Sequence, residues 1–512
     1  MRLRPALLIG MSLLFAVPVL AQPPQHRKNH TPSDSAASSR AAAKQLVSTQ
    51  NAPRSLTEAL VATYAYNPAL LAERARLRST DEGVPQALAG WRPTVVASGS
   101  AGYANGVAIS TTGVVTRLGV QTGVGQQTNY SSLNRQFGTA QALLTQPLYT
   151  GGRVSASVQR AKNTVFAERA NLIGQEETSF SDTVNAYVGV IQARQTEEIQ
   201  KNNEDVLSQQ LQATRDRFRV GEITQTDVAQ AEAALASAHA TLVTAQGSVL
   251  TAEATYIRAI GSAPPRDLAP PQPLKLPVRN GQEAAAMAGD NNPTVIAALF
   301  NLAAARDAVD VAFAALLPQL SLQGQLFQQT NPLQPGLNDR GYQITANLSV
   351  PLYQGGAEYS AVRQAKQTAA QQESQVADAR RTAVQNAVQA WQTLVAALAA
   401  VDSSRAAVQA NEVALEGIQR QALVGTSTTL DVLIQTQTLL NSRLTLIQNI
   451  SNSITASYAV ASAIGRLTAR DLGLPVVFYD DTAYFNAVKN RWFGLSGPPE
   501  SELYRNVNAS PR

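Results

Sequence analysis

The chain of 512 residues has no cysteine and only three histidines. The missing cysteines exclude disulfide bonds, thiolate metal sites and a cysteine nucleophile, and they also exclude a lipid-modified N-terminal cysteine. The sequence contains neither a Gly-x-Ser-x-Gly motif nor a phosphate-binding loop. We therefore predict no catalytic residue, no cofactor and no metal site, which argues against an enzyme.

The few histidines and acidic residues that occur together do not suggest a site. His26 and His30 are close in sequence, but no other type of metal ligand clusters near them, and a solvated tail explains them better. Two adjacent acidic pairs also occur, Glu176-Glu177 and Asp480-Asp481. Adjacent residues on a helix or strand do not converge on a substrate, because their side chains point in different directions.

The chain has little charge and no long apolar run beyond its N-terminus. Charged residues make up 15% of the sequence, against roughly 25% in ordinary soluble proteins. The mean hydropathy of −0.12 is too low for a bundle of membrane-spanning helices. The net charge is +5 and the basic residues are not clustered, so we expect no binding to nucleic acid.

The N-terminus predicts export from the cytoplasm. Residues 1–21 read as a secretory signal peptide, in which two arginines precede an apolar run, 7–17, too short to span a bilayer. Small or apolar residues lead up to an expected cut after Ala21. Residues 22–53 are rich in proline, serine, alanine, histidine and lysine without periodicity, so we expect a disordered leader.

The rest of the chain is organised around a seven-residue sequence motif that occurs twice. Residues 146–152 read QPLYTGG and residues 350–356 read VPLYQGG, and each copy follows a strand-like stretch and precedes a long helical run. Proline cannot donate a hydrogen bond to a sheet, so it suits a strand end, and Gly-Gly allows a sharp bend. These strand-to-helix corners contain Pro147, Gly151, Gly152, Pro351, Gly355 and Gly356.

The spacing of matching residues indicates a tandem duplication. From the corners onward the offset is 204, as in Gly355 minus Gly151, whereas upstream it is 225, as in Pro318 minus Pro93. The first repeat therefore carries 225 − 204 = 21 extra residues, which we expect at a hairpin tip around 107–130. The predicted organisation is a first repeat at 54–265, a linker at 266–281, a second repeat at 282–468, and a C-terminal tail at 469–512. We expect part of the tail to pack and the stretch after Gly497 to be disordered.

Each repeat is predicted to contain one hairpin of alternating apolar and polar residues, at about 94–148 and about 319–352. Alternation alone fits both an outer-membrane barrel with a polar lumen and a half-buried sheet in a soluble sandwich. Export and aromatic residues near the strand ends favour the barrel, because such residues form girdles at membrane interfaces. The predicted interfacial aromatics are Trp91, Tyr149 and Tyr353.

Long helices follow the corners, predicted at 152–219, 224–261, 356–423 and 428–465. The first helix of each pair would span roughly 100 Å, and heptad-spaced small and apolar residues predict coiled-coil packing. We place the second-repeat seam at Val384, Val388, Trp391, Val395 and Leu398 and, after the turn, at Leu430, Leu433, Gln437, Leu440, Leu444 and Ile447. The matching first-repeat seam after the turn is Thr226, Ala229, Ala233, Ala236, Ala240 and Val243.

A tight turn joins the two long helices of each pair, because glycine ends one helix and threonine with aspartate caps the next. The turn residues are Val220, Gly221 and Glu222 in the first repeat and Val424, Gly425 and Thr426 in the second.

With its paired corners and paired turns, the chain resembles the TolC-like outer-membrane efflux proteins, or outer membrane factors, over roughly 56–467. The resemblance implies a mixed α and β fold in which a homotrimer builds a twelve-stranded membrane β-barrel from four strands per chain. The long helices would continue this barrel as a coiled-coil α-barrel in the periplasm. It also implies an outer-membrane location, with lipid around the barrel.

The same resemblance implies partners and site residues. In this family the turns form a tip that meets a periplasmic adaptor, which joins an inner-membrane pump or a secretion ATPase. Asp431 would form a ring at a pore constriction, although the alternative is that it only caps its helix. The chain departs from some members nearby, with Ile434 in place of a second aspartate and Ser427 and Ala422 in place of latch residues.

The predicted function is that of a passive outer-membrane channel in a tripartite efflux pump or type I secretion system. The alternative is a secreted or periplasmic coiled-coil structural protein whose hairpins are soluble caps. A general diffusion porin fits less well, because porins lack helices of this length. A lumen of amides and hydroxyls is generic, so the sequence does not indicate the exported substrate.

Overall fold

The computed structural model describes residues 53–113, 126–132, 134–332 and 336–505. The predicted signal peptide and nearly all of the predicted leader lie outside these ranges. No helix within them combines the length and the apolar composition needed to cross a bilayer. The predicted mixed class is confirmed, because two tandem repeats of long helices carry one antiparallel sheet of four strands.

The first repeat begins with short helices that lead into the sheet. Its helices are α1 (Leu56–Tyr66), α2 (Pro68–Asp81), α3 (Gly83–Leu88), α4 (Arg153–Arg219) and α5 (Gln225–Ile260). Its strands are β1 (Thr94–Ala104), β2 (Val107–Gly113), β3 (Gln126–Ser132) and β4 (Arg135–Tyr149). Ser55 caps α1, and Asn67 caps α2 ahead of a proline that suits the first helical turn.

The second repeat has the same order of elements. They are α6 (Gly281–Asn291), α7 (Pro293–Phe313), β5 (Gln319–Thr330), β6 (Asn338–Ser349), α8 (Ala357–Leu423) and α9 (Thr429–Ala463). Asn292 caps α7 as Asn67 caps α2. Each of these side chains also donates a hydrogen bond to the second long helix of its repeat, α5 or α9. Asn67 donates to the carbonyl of Ala259 at 3.2 Å, and Asn292 donates to that of Ala463 at 3.1 Å.

The strands form an antiparallel sheet in the order β1-β4-β5-β6, so the two hairpins lie side by side. Within the described residues, β1 and β6 are the two edges of this sheet. β2 and β3 pair with each other from Val107 opposite Ser132 to Gly113 opposite Gln126, and they lengthen the first hairpin beyond the sheet. They occupy the region where the 21 extra residues were expected; residues 114–125 lie outside the described residues.

β6, the second strand of the second hairpin, is shorter than predicted. β6 ends at Ser349, opposite Gln319 at the start of β5, whereas we expected the strand to continue to 352. Beyond Thr145, β4 pairs with β5 alone, and a bulge next to Pro147 brings Tyr149 opposite Leu320. β5 begins at Gln319, so within the described chain it offers β6 no strand residue to pair with beyond Ser349.

The long helices pack as a row in the order α5-α4-α9-α8, and α7 packs against both α4 and α8. The predicted first-repeat seam is wrong for contacts within the chain, because its members on α5 are exposed. The buried stripe lies two residues further on, at Ala231, Ala238, Leu242, Ala245 and Val249. On α8 the buried stripe lies one residue before the prediction, at Ala383, Ala387, Leu394 and Val401. α5 therefore carries a second, exposed stripe. On α8 only Val388, Val395 and Leu398 of the predicted seam are exposed, whereas Val384 and Trp391 are half-buried and Trp391 packs against the core.

The C-terminal tail packs on the first repeat. It contains β7 (Phe478–Tyr479), α10 (Ala483–Val488), a 3₁₀ helix (Glu500–Leu503) and β8 (Tyr504–Arg505), which pairs with β7. The expected disorder after Gly497 is wrong for residues 500–505, because Leu503 is fully buried there. The Tyr479 amide donates to the Tyr64 hydroxyl at 3.0 Å, and the Tyr484 hydroxyl donates to Glu82 at 2.8 Å.

Candidate functional site

The strand-to-helix corners have the same backbone in both repeats. Gly151 and Gly152 have φ of +63° and +84°, and Gly355 and Gly356 have φ of +68° and +83°. A residue with a Cβ is strained in this left-handed region, which explains the glycines. In each repeat two consecutive glycines with left-handed backbone follow the sheet, and α4 or α8 begins at the next residue. Pro147 lies at the bulge in β4, and Pro351 follows the end of β6.

The surroundings of the two corners differ. A Cβ on Gly151 would lie 2.8 Å from the carbonyl oxygen of Ala314 and 2.8 Å from Cβ of Leu317, on the segment that leads into β5. A Cβ on Gly355 would meet no atom of the described chain within 4 Å. One corner is therefore closely packed by the other repeat, whereas the equivalent corner is open.

The predicted interfacial aromatics lie at the helical end of the sheet. Trp91 precedes β1, and its carbonyl accepts a hydrogen bond at 3.0 Å from Gln146 of β4, three residues before Tyr149. Tyr353 follows β6 at the opposite edge and is 78% exposed, against 48% for Tyr149. All three side chains are exposed to the surroundings of the chain. Trp91 and Tyr149 lie next to the first hairpin, whereas Tyr353 follows the second.

The turns at the far ends of the long helices are also matched. Gly221 and Gly425 both have φ of +78°, and each lies where the first long helix ends. The Glu222 amide donates to the carbonyl of Arg217 at 3.0 Å, and the Thr426 amide donates to that of Gln421 at 2.9 Å. These bonds satisfy carbonyls that a helix end leaves free. Val220 and Val424, beside the glycines, are largely exposed.

Asp431 and Asp227 cap their helices in the same way. Asp431 Oδ2 accepts from the Thr428 amide at 2.8 Å and from the hydroxyls of Thr428 and Ser427 at 2.7 and 3.0 Å. In return the Asp431 amide donates to the Thr428 hydroxyl at 3.2 Å. The hydrogen bond from the Thr428 amide, followed by those from the hydroxyls, holds the pKa of Asp431 below its usual range. The carboxylate is exposed and ionised at neutral pH.

The two aspartates differ in the charges around them. In the first repeat Arg217 forms an ion pair of 2.6 Å with Glu222 and also lowers the pKa of Asp227, after the hydrogen bonds from Thr224. The residue 204 positions after Arg217 is Gln421, so Asp431 has no equivalent cation. Asp431 is therefore the less compensated of the two charges.

We did not single out Arg217 from the sequence, nor Leu423, which replaces Arg219 in the second repeat and is 84% exposed. The 204-residue offset between the repeats would have revealed both. It aligns the arginines before the first turn with an uncharged and an apolar residue before the second. In the part of the chain that the structure describes, no three acidic or histidine side chains gather closely enough to hold a metal ion.

Comparisons with known proteins agree with this geometry. The sequence model described as "Outer membrane efflux protein" matches residues 59–262 and 285–466, one segment in each repeat. The outer membrane efflux protein BepC of Brucella suis is 34% identical over 445 residues, which are 86% of this chain and 92% of BepC. The outer membrane protein TolC of Escherichia coli is 24% identical over 69% of this chain and 76% of TolC.

A solved structure shares the fold. The outer membrane protein VceC of Vibrio cholerae superposes with a TM-score of 0.64 at 21% identity, over 80% of this chain and 96% of VceC. The resemblance inferred from the corners and turns is confirmed, and with it the predicted outer-membrane location and efflux-channel function. The chain belongs to the outer membrane efflux protein family.

Proposed function

We propose that this protein is the outer-membrane duct of a tripartite export system, in which three copies of the chain form one channel. A periplasmic adaptor joins that channel to an inner-membrane pump or a secretion ATPase. The observation that carries the proposal is the open four-stranded sheet, whose edge strands β1 and β6 are each paired on one side only among the described residues.

The open edges of the sheet support an assembly of several copies of the chain. In lipid every backbone amide and carbonyl must be hydrogen-bonded within protein, so an open edge cannot remain. Two copies would give eight strands, and the interior of a barrel of that size is normally filled by side chains. Three copies give twelve strands, the smallest closed arrangement of this chain that leaves a duct.

The row of long helices supports the same assembly. Its two end members each carry an exposed apolar stripe with heptad-like spacing. The α5 stripe contains Val243, Leu250 and Ile257, and the α8 stripe contains Val388, Val395 and Leu398. In a ring of copies α5 of one protomer would meet α8 of the next, so each stripe would gain a partner.

The unequal corners support a particular contact between copies. Ala314 and Leu317, which pack on Gly151, correspond to Ala89 and Arg92, 225 residues earlier. Those residues immediately precede β1, the strand that would pair with β6 of a neighbouring copy. Gly355 of one protomer would therefore lie against Ala89 and Arg92 of the next, as Gly151 lies against its equivalent contacts within the chain.

Gly355→Ala should selectively impair assembly. If the interface copies the contacts of Gly151, the methyl group would approach a carbonyl oxygen and a Cβ atom at about 2.8 Å, and overpacking of this kind costs about 1–3 kcal/mol for each copy. We expect the trimer assembly constant to fall at least about tenfold, since about 1.4 kcal/mol corresponds to tenfold. Light scattering with size-exclusion chromatography in detergent measures this.

Gly425→Ala is the matched control for that substitution. Gly425 has a similar left-handed backbone, and a Cβ there meets nothing within 4 Å in the described chain. The two variants should therefore share the conformational cost but differ in assembly. Equal trimer fractions for both would contradict the proposed contact.

The turns at the far end of the helices are the proposed contact with the adaptor. Val220, Gly221 and Glu222 of one turn and Val424, Gly425 and Thr426 of the other end their helices with exposed backbone and valine side chains. A deletion strain tested against a panel of dyes, antibiotics and metals would test export. Co-purification with the tagged protein would identify the adaptor and the pump, and an unchanged export profile would contradict the proposed function.

We also propose that Asp431 from three copies forms a ring at the narrow end of the duct. The exposed carboxylate, lacking the arginine that accompanies Asp227, supports this placement. Asp431→Asn should keep the capping box, because the side-chain oxygen of asparagine can still accept the hydrogen bond from the Thr428 amide. We expect it to raise single-channel conductance in planar bilayers and to weaken block by divalent cations, because a neutral ring would no longer hold cations in the constriction.

Asp227→Asn is the control for this substitution, because Asp227 caps its helix in the same way and lies near Arg217. A ring of Asp431 predicts a clearly smaller effect of this second change. Unchanged currents in the Asp431→Asn channel would refute the ring.

A further inference from the structure

The C-terminal tail contains a short loop that presents apolar side chains to the surroundings. This tail loop, residues 491–496, follows α10 and precedes the 3₁₀ helix. Trp492 and Phe493 are 58% and 86% exposed, and Leu495 is completely exposed. Two aromatic residues and a leucine in such a loop are unusual for a surface that contacts only water.

The tail loop has a defined conformation. The Arg491 side chain folds back and donates from Nε to the carbonyl of Phe493 at 3.1 Å and from Nη1 to that of Ser496. Gly494 has φ of +106°, which a residue with a side chain would rarely adopt. Val488 before the loop and Leu503 after it are buried, so both ends are held against the protein.

The tail loop lies at the helical end of the sheet. Arg92, two residues before β1, donates from Nη1 to the carbonyl of Arg491 at 2.7 Å. Its guanidinium group also lies 4.8 Å from the centre of the Trp492 ring, within the range of a cation–π contact. Trp91, the residue before Arg92, is one of the predicted interfacial aromatics. The loop therefore shares the level of the sheet end where strands give way to helices.

We propose that the tail loop is a membrane anchor that inserts Trp492, Phe493 and Leu495 into the periplasm-facing phospholipid leaflet of the outer membrane. The inference rests on the outer-membrane location that family membership gives, with strands in lipid and helices in the periplasm. This anchoring role is separate from the proposed role of the protein in export. The loop would add contact area to the strands at the lower boundary of the barrel.

The chemistry of the tail loop suits that boundary. Tryptophan prefers the region between headgroups and acyl chains, because its ring is apolar and its N–H remains polar. Arg92 stacks on that ring and places a cation at the level of lipid phosphates. Arg491 provides donors for two loop carbonyls that would otherwise enter a poorly hydrated region.

The absence of cysteine from the chain provides a direct test. A single cysteine introduced as Leu495→Cys can carry a nitroxide spin label without removing a buried contact. The labelled full-length trimer is reconstituted into vesicles of phosphatidylethanolamine and phosphatidylglycerol, and collision rates with oxygen and with a nickel chelate are measured. We expect the oxygen-to-nickel collision ratio to be about tenfold higher than for a label in water, because oxygen partitions into lipid and the chelate does not.

Leu423→Cys is the matched control, because Leu423 is also a highly exposed leucine but lies at the end of α8, far along the chain from the sheet. Its label should collide freely with the nickel chelate. The same free collision at position 495 would overturn the proposal. Protection of position 495 from both reagents would also overturn it, because the loop would then be covered by a neighbouring copy.

Discussion

Gly465→Ala is expected to cost about 2–5 kcal/mol of folding stability. Gly465 ends α9 with φ of +75°, where a side chain alone costs about 1–2 kcal/mol. A Cβ there would lie 2.5 Å from the carbonyl oxygen of Asn291 and 3.3 Å from Cα of Asn292, both backbone atoms at the junction of α6 and α7. Displacing that junction adds about 1–3 kcal/mol.

The same substitution in the first repeat should be much milder. Gly261 ends α5 with φ of +88°, but a Cβ there meets no atom within 4 Å in the described chain. Gly261→Ala should therefore cost only the conformational part, about 1–2 kcal/mol. Thermal and denaturant unfolding of the two variants in detergent, followed by circular dichroism, gives the comparison. Equal losses would show that the junction of α6 and α7 yields without cost.

The second large effect is expected at Asp81, the last residue of α2. Its side chain is fully buried, and neither carboxyl oxygen has a hydrogen-bond partner among the described residues. Burial raises the pKa of Asp81 from 3.8 to about 7, although Arg169 opposes the change. Asp481 and Glu82 raise it further, and Arg169 is itself 3.6 Å from Asp481 of the tail.

The sign of the pH dependence follows from the raised pKa. The folded state holds the Asp81 proton more tightly than the unfolded chain, so this group favours folding fully below about pH 3.8. That contribution declines as the pH rises and is lost above about pH 7. At roughly 1.4 kcal/mol per pKa unit, the change from 3.8 to about 7 corresponds to about 4 kcal/mol.

Asp81→Asn should therefore stabilise the protein at high pH. Since the buried amide would still lack partners, we expect a gain of about 2 kcal/mol at pH 8 and none at pH 4. Unfolding temperatures at pH 4, 6 and 8 measure the effect. Asp182→Asn is the control, because Asp182 lies on the surface of α4, 4.0 Å from Arg258. A gain at pH 8 no larger than that of the control would contradict the argument.

Local signals in the sequence were enough to predict the corners, the turns and the caps. The left-handed glycines and the Thr428–Asp431 cap depend on residues within four positions of each other, so their physics is visible in a short stretch. The duplication strengthened these predictions, because the same pattern appeared twice.

The choice between two heptad stripes could not be made locally. On α8, Val388 and Val395 are larger and more apolar than Ala387, yet Ala387 is buried within the chain and the valines are exposed. The buried stripe of α8 packs with residues of α6 and α9, and the close approach of helices favours alanine there. The larger residues remain for the proposed contact between copies, and a single sequence does not separate these two roles.

The packing of the tail was hidden for a similar reason. The adjacent acids Glu176 and Glu177, which we did not expect to converge on a substrate, both accept backbone hydrogen bonds from the chain after α9. Glu176 accepts from the Ala469 amide at 2.6 Å and Glu177 from the Leu467 amide at 3.3 Å. These partners lie about 290 residues away, beyond the reach of any periodicity.

α4 and α8 both contain 67 residues, and this equality limits how members of the family with this architecture can change. A single inserted residue would turn every later side chain by about 100° and carry the packed stripe off its neighbour. An insertion in only one of the two helices would also leave the two turns at different heights. Changes in the length of α4 and α8 should therefore occur in both repeats together, in steps of about seven or eleven residues. Isolated insertions should instead accumulate at the hairpin tips, where the first repeat already holds its 21 additional residues.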